Sequence, residues 1–202
     1  MVQKFLDKVY AARTEAETRD VYDAWADSYE AEVAGNGYAT PARCAAALAR
    51  VSDDLAAPVL DFGCGTGLSG LALRNAGFTT IDGVDLSAGM IAEAGEKEVY
   101  RSLQQIDGNT PLAKGAYAQI AAIGVIGAGA APISTLDRLM HALDRGGRLV
   151  FSFNDHTLED PVHEARICEW TDCGAARLLC RERGDHLPGA GIKSNVYILE
   201  RT

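Results

Sequence analysis

Two aspartates flank the densest run of glycine in the chain. The stretch Asp61-Phe62-Gly63-Cys64-Gly65-Thr66-Gly67 follows the short apolar run Val59-Leu60 and precedes a helical one, and Asp85 stands 20 residues after Gly65. Glycine lets the backbone turn sharply and meet a ligand with no Cβ in the way. A helix starting just beyond adds unpaired N–H groups and a partial positive charge. This grouping suits a nucleotide-like ligand at the carboxyl ends of parallel strands. Gly65-x-Gly67-x-x-Gly70 also spells the dinucleotide fingerprint, and a nicotinamide oxidoreductase is therefore one reading. Three details oppose it. The cluster starts at Gly63, so Gly65 is not the first residue of the turn; Asp61 would meet a diphosphate with like charge; and the C-terminal hairpin described below is foreign to that fold. A ligand with a cationic amino-acid end and no phosphate suits Asp61 better.

Other chemistry-bearing residues are more scattered. Asp107-Gly108 reads as a turn that can also present an acceptor. Cys64, between two glycines, is read as a small filler, although helix N-termini can lower a thiol pKa. Asn154, Asp155 and His156 follow an apolar strand at an edge where sites form, and His163 lies just beyond; His156 and His163 are the candidate general bases. The five cysteines (44, 64, 168, 173 and 180) include no C-x-x-C pair, and the four histidines show no H-E-x-x-H spacing, so neither a disulfide framework nor a metal site is expected.

The elements that must position these residues follow from periodicity. Tyr22, Trp25 and Tyr29 fall on one face of a helix within a helical segment 1–50. Thr40-Pro41 reads as N-cap and first helical residue, because proline's missing N–H costs nothing there. Beyond it, strands are expected at 59–62, 79–84, 101–106, 117–123 and 148–153. The intervening helices are expected at 68–76, at 90–94 capped by Ser87, and at 134–143. This alternation predicts an α/β, doubly wound, mostly parallel sheet. A helix at 164–170 and two strands, 175–182 and 194–200, close the chain. With only the glycine-rich loop 184–191 between them, those strands must pair antiparallel. The organisation expected is an N-terminal helical lid, 1–50, on one compact ligand-binding domain, 51–202.

At these residues the chain resembles the class I S-adenosylmethionine-dependent methyltransferases, with their seven-stranded Rossmann-like sheet. Residues 59–67 look like the family's first motif almost letter for letter. Gly83-Val84-Asp85-Leu86-Ser87 with Met90 is similar to the second, and Ile106-Asp107-Gly108 with Pro111-Leu112 is a looser match to the third. Gly146-Gly147 before Arg148-Leu149-Val150 resembles the turn into the fifth strand. Tyr22 to Tyr29 and Gly37-Tyr38 resemble the lid of small-molecule members. Within the class, the chain is similar to the methyltransferase-like group named after the Williams–Beuren region. The resemblance covers residues 20–202.

It implies S-adenosylmethionine as cofactor, with S-adenosylhomocysteine as product. Asp61 would hold the amino group, directly or through water. Gly63, Cys64, Gly65 and Gly67 would let the loop pass close to the ligand, and Asp85 would accept from the ribose hydroxyls. Leu86 and Met90 would flank the adenine. Asp107 and Gly108 would meet its edge, and Ile123 and Gly124 would line the methionine side. Tyr29 would close over the cofactor, while Tyr22, Trp25, Tyr38 and Asn154 would face the acceptor. The chain departs from many relatives in having Tyr117-Ala118-Gln119 where an acidic residue is usual, and in the glycine- and alanine-rich stretch 123–131.

Composition bounds the rest. In 202 residues, 48% are hydrophobic and 23% charged, which fits one globular core. The formal net charge is −9, which opposes nucleic-acid and anionic-membrane partners and favours a small acceptor. No apolar run is long enough for a membrane span, and the charged N-terminus lacks the profile of a secretory leader, so a cytoplasmic enzyme is expected. The expected activity is in-line methyl transfer to an O, N or S atom of a small molecule. The alternatives are the oxidoreductase and a non-catalytic cofactor-binding module; oligomeric state is not set by the sequence.

Overall fold

The computed structural model describes residues 15–108, 110–127 and 129–202. Helices α1 (Glu15–Gly35) and α2 (Thr40–Val51) lead into β1 (Val59–Phe62), α3 (Leu68–Asn75), β2 (Ile81–Asp85), α4 (Ala88–Gly95), β3 (Ser102–Gln105) and β4 (Gln119–Ala122). Then come α5 (Ser134–Ala142), β5 (Arg148–Asn154), α6 (Asp155–Leu158), α7 (Val162–Asp172), β6 (Ala176–Leu187) and β7 (Ile192–Arg201). All seven strands form one sheet in the order β3-β2-β1-β4-β5-β7-β6. The first five are parallel, and β7 runs antiparallel between β5 and β6. The expected doubly wound sheet with its terminal hairpin is therefore present. Residues 1–14, and the side chains of Tyr22 and Trp25, lie outside the described set.

Alternation along the strands builds two cores. Leu60, Phe62, Ile120, Leu149, Phe151, Tyr197 and Leu199 face α5 and α7. Val59, Ala121, Ile123, Val150, Val196 and Ile198 face the opposite way, with Cys44, Ala45 and Leu48 of α2 and Leu73 of α3. Period two thus turns Asp61, like Val59, toward α3. Every strand from β1 to β5 is buried along its middle except β3, an exposed sheet edge.

Local signals behave as expected at several ends. Ser87 caps α4, its Oγ accepting from Met90 N at 3.0 Å. Gly77, at φ +104°, ends α3 in a Schellman arrangement: Phe78 N donates to Leu73 O at 3.1 Å and Gly77 N to Arg74 O at 3.0 Å. Thr40 differs. Ala39 occupies the N-cap position, and the Thr40 hydroxyl bonds His186 Nδ1 and Ser194 Oγ, both at 2.9 Å, instead of a helix amide. Those partners come from the C-terminal hairpin, far away in sequence.

The hairpin is longer than its glycines imply. Strand β6 runs on through Gly184, Asp185, His186 and Leu187, leaving Pro188–Ala190 as a single 3-10 turn. Arg43 of α2 stabilises this continuation, its guanidinium donating to Glu182 O, Asp185 O and Ser194 O. It lies so close to Gly184 that a Cβ there would fall 2.7 Å from its Cζ. Glycine is in the strand because an arginine crosses it. The one-turn α6, just after β5, is an addition to the expected elements, with Asn154 as its cap.

The turn between α1 and α2 is tied to the hairpin tip. Ala39 N donates to His186 O and Gly189 N to Asn36 O, both at 3.0 Å. Helix α1 itself lies along α4, where Asp23 Oδ1 accepts from the Ser87 hydroxyl and from Gly89 N, and Glu30 pairs with Lys97. Among the described residues no helix is long and apolar enough to cross a membrane.

Candidate cofactor and active site

A cavity of about 520 Å³ opens at the carboxyl ends of β1, β2 and β4, where the strand order reverses. That is the place where open α/β sheets bind ligands, and the volume is in the usual range for a small-molecule site. The loop after β1 forms its floor. Gly63 N and Cys64 N both donate to Val84 O, at 2.8 and 3.0 Å, which pins the loop to the end of β2. Gly65 N donates to Asp85 Oδ2 at 2.8 Å. Gly65 has φ +53° and nothing within 4 Å of where a Cβ would stand, so its open side is available to a ligand.

Asp85 is locked between two amides. Ser87 N reaches its other oxygen at 2.9 Å. Burial pushes the Asp85 carboxyl above its ordinary value, the amides of Ser87, Gly65 and Leu86 pull it back, and the Asp23 charge adds to the rise. Each oxygen keeps lone pairs beyond its amide bond. Asp85, Leu86 and Met90 all line the cavity.

Asp61 is placed differently. It is fully buried and does not itself line the cavity, whereas its neighbours Phe62, Gly63 and Cys64 and its hydrogen-bond donor Ser69 do. Its Oδ2 accepts from Ser69 Oγ at 2.6 Å and from Tyr100 Oη at 2.8 Å, whereas its Oδ1 is buried with no hydrogen-bond partner. Burial drives the Asp61 carboxyl up to about 6, against the two donors and with the help of the Asp85 charge. The hydroxyl of Thr66, a lining residue, is likewise buried without a partner. Native folds leave such groups unpaired rarely, and mostly where a ligand or water completes them. The same burial raises the Cys64 thiol, with the Asp61 and Asp85 charges adding, so it stays a neutral wall group.

The remaining anticipated residues divide. Tyr29, Tyr38, Gly108, Ile123 and Gly124 line the cavity. Tyr29 reaches in from α1; burial, the neighbouring Tyr38 and the Asp85 charge raise its phenol well above the ordinary value. The Tyr38 hydroxyl stands over the end of β4, where a Cβ on Gly124 would fall 2.7 Å from it. Gly67 turns away from the cavity, against Lys97, Ala94 and Tyr100. Asp107 is exposed, and its Oδ1 accepts from Thr110 Oγ1 at 2.9 Å. Asn154 accepts from Thr157 N at 3.0 Å as a helix cap. His156 is exposed beside Glu159, and His163 is packed against the Phe153 ring; neither lines the cavity.

Sequence reasoning passed over three contributors. Tyr100 and Ser69 hold Asp61. Arg138 of α5 donates to Gly108 O at 2.6 Å and to Thr110 O, and lies over the Phe62 ring, so it fixes the loop after β3. A signal for Tyr100 was present in Gly70 and Gly83, glycines inside a helix and a strand: a Cβ at either would fall 2.3 or 2.9 Å from the tyrosine ring. The third glycine of the dinucleotide spelling therefore serves Tyr100.

A family model described as a methyltransferase domain matches residues 37–188. The chain belongs to the methyltransferase-domain family. Among curated proteins, human methyltransferase-like protein 27 is 32% identical over 131 residues, which is 62% of this chain and 53% of that protein. The chain thus spans about half the length of that relative. Among solved structures, the [4+2]-cyclase SpnF aligns at TM-score 0.72 and 14% identity, over 94% of this chain and 97% of its own. Magnesium protoporphyrin IX methyltransferase from Synechocystis PCC 6803, with bound S-adenosylmethionine, aligns at 0.64 and 18%, over 98% and 90%. Geranyl diphosphate C-methyltransferase from Streptomyces coelicolor A3(2), with S-adenosylhomocysteine, aligns at 0.62 and 15%, over 86% and 84%. These likenesses establish the fold, and the methyltransferase family agrees with the resemblance carried by the first two motifs.

Proposed function

We propose that this methyltransferase-family chain binds S-adenosylmethionine in the cavity and transfers a methyl group to an O, N or S atom of a small molecule. The observation that carries the reading is the pair of carboxylates around the glycine loop: Asp85 amide-locked at the cavity wall, and Asp61 with one buried oxygen lacking a partner. A diol and an ammonium, the two polar ends of that cofactor, are the groups those acceptors fit. The bound cofactor supplies an electrophilic methyl on a sulfonium, whose displacement leaves a neutral thioether.

The chain's own residues bind and align. Asp85 accepts from the ribose hydroxyls; Leu86, Met90 and the Ile106–Gly108 turn, held by Arg138, enclose the base. Asp61 and the Thr66 hydroxyl receive the amino-acid end, in part through water. Ile123, Gly124 and the Tyr38 hydroxyl then face the reacting end, where aligning an acceptor in line supplies much of the acceleration. Tyr29, held by burial as a neutral phenol, closes the cavity from α1, which acts as a lid and excludes water. Neither His156 nor His163 stands at this cavity, so an acceptor that gives up its proton readily, or carries none, suits the site best. The acidic net charge supports a small molecule over a nucleic acid. The nicotinamide reading is disfavoured because Tyr100 fills the space beside Gly70.

Calorimetry with S-adenosylhomocysteine tests the binding step, and saturable micromolar binding is expected. No heat on folded protein, together with saturable quenching of NADH fluorescence, would reverse the assignment. Incubating the protein and isotopically labelled S-adenosylmethionine with a metabolite extract, then reading the labelled product by mass spectrometry, identifies the acceptor. Binding without any labelled product would favour a non-catalytic module.

A further inference from the structure

We infer that Tyr100 and Ser69 are positioning residues that saturate one oxygen of Asp61, so that the other is kept unshared for the ligand's ammonium group. The inference rests on the assignment of Asp61 to the amino-acid end of the cofactor. Tyr100 belongs to the segment between α4 and β3, outside every glycine-loop motif. Its ring is threaded between Gly70 and Gly83. Its hydroxyl accepts from Gly70 N at 3.1 Å and donates to Asp61 Oδ2 at 2.8 Å. Ser69 Oγ donates to the same oxygen at 2.6 Å. Oδ1, equally buried, receives nothing. A phenol has one proton, and here it is committed to Asp61. Burial and the Asp61 charge hold the Tyr100 phenol far above its ordinary value, so it remains a donor at any physiological pH.

The two donors also act on charge. Burial alone favours a neutral Asp61, and each donor favours the carboxylate. A neutral Asp61 would offer an ammonium group no anion. Among the described residues, the other titratable groups that act on Asp61 are Asp85 on β2, which opposes its ionisation, and Cys64 on the loop, which stays neutral. Removing either donor therefore moves the acidic limb of cofactor binding to higher pH. A residue that merely supported the fold would weaken binding equally at all pH.

The test is calorimetric titration of the full chain with S-adenosylhomocysteine between about pH 5 and pH 8.5, for wild type, Tyr100→Phe, Ser69→Ala and Asp61→Asn. Wild-type affinity is expected to be flat above neutrality and to fall toward about tenfold per pH unit once Asp61 protonates. In Tyr100→Phe the fall starts at higher pH, giving binding about tenfold or more weaker near pH 6 and recovery toward wild type at pH 8.5. Ser69→Ala moves the same way and decides the matter if Tyr100→Phe does not fold. An unmoved midpoint, or a loss of equal size at every pH, overturns the inference. Unchanged affinity in Asp61→Asn overturns it by removing Asp61 from the site, while leaving the methyltransferase assignment in place. A wild-type chain that binds nothing overturns both.

Discussion

Gly70→Ala is the substitution in which helix propensity and packing disagree most clearly. Gly70 lies inside α3 with an ordinary helical backbone, so alanine by itself should stabilise by about 1 kcal/mol. The new Cβ, however, would sit 2.3 Å from both Cζ and Oη of Tyr100. The ring can step aside only by giving up the bonds that its hydroxyl makes to Gly70 N and to Asp61 Oδ2. Overpacking of this kind costs about 1–3 kcal/mol. Displacing the hydroxyl also breaks its bond to Asp61, a charged acceptor, for about 1.5–3 kcal/mol more. The net expectation is a loss of about 2–4 kcal/mol, or roughly 5–15 °C in Tm for a chain of this size. Urea or thermal denaturation followed by circular dichroism measures it. In a Tyr100→Leu background the same Gly70→Ala change should cost little or stabilise, since the clash is gone. A neutral or stabilising Gly70→Ala in the wild-type background would refute the argument that Tyr100 is why this helix carries a glycine.

Two further outcomes follow from the site and its surroundings. Asp85→Ala removes the acceptor of two backbone amides and of the proposed diol, and should weaken S-adenosylhomocysteine binding by about 1.5–3 kcal/mol; unchanged affinity by calorimetry would place the ribose elsewhere. His186 is buried, and burial, with the Arg43 and His156 charges adding, lowers its pKa to about 4 against the opposing charge of Asp155. The unfolded chain therefore takes up a proton near pH 6.5 that the folded one refuses, so this group's contribution falls as pH drops from about 6.5 to 4, by at most about 3 kcal/mol. Asp61, raised to about 6, acts the opposite way below that pH. The His186→Gln variant should thus show a flatter or inverted stability profile between about pH 6.5 and 4, and a profile parallel to wild type would refute the buried neutral imidazole.

Much of the architecture was legible because it rests on local patterns. The short run Val59-Leu60-Asp61-Phe62 and the glycines after it define a strand, a tight loop and a helix start within a dozen residues. Asp85 could be read because it ends the next strand. The cap at Ser87 and the stop at Gly77 were readable for the same reason. What could not be read depends on residues distant in sequence. Tyr100 meets Gly70 and Asp61 only once the sheet assembles. Thr40 looks like an N-cap until His186 and Ser194 arrive from the hairpin and take its hydroxyl. Gly184-Asp185 looks like a turn until Arg43 supplies donors that extend the strand. The exposed Asp107, tied to Thr110, is an ordinary turn by local geometry, and it is the arginine of α5, some 30 residues on, that shapes the loop.

The ties between residues 36–39 and the hairpin tip have a mechanical consequence. With one end of α1 riveted to the sheet, any admission of ligand past this helix is leverage about a fixed fulcrum and not a sliding retreat. A helix of 21 residues is about 30 Å long, so a rotation of about 10° there displaces its far end by about 5 Å and its root hardly at all. Tyr29 and Tyr38, nearer the fulcrum, would barely shift during such a swing, which has to break the bonds of Asp23 to Ser87 and Gly89 before the cavity opens on that side.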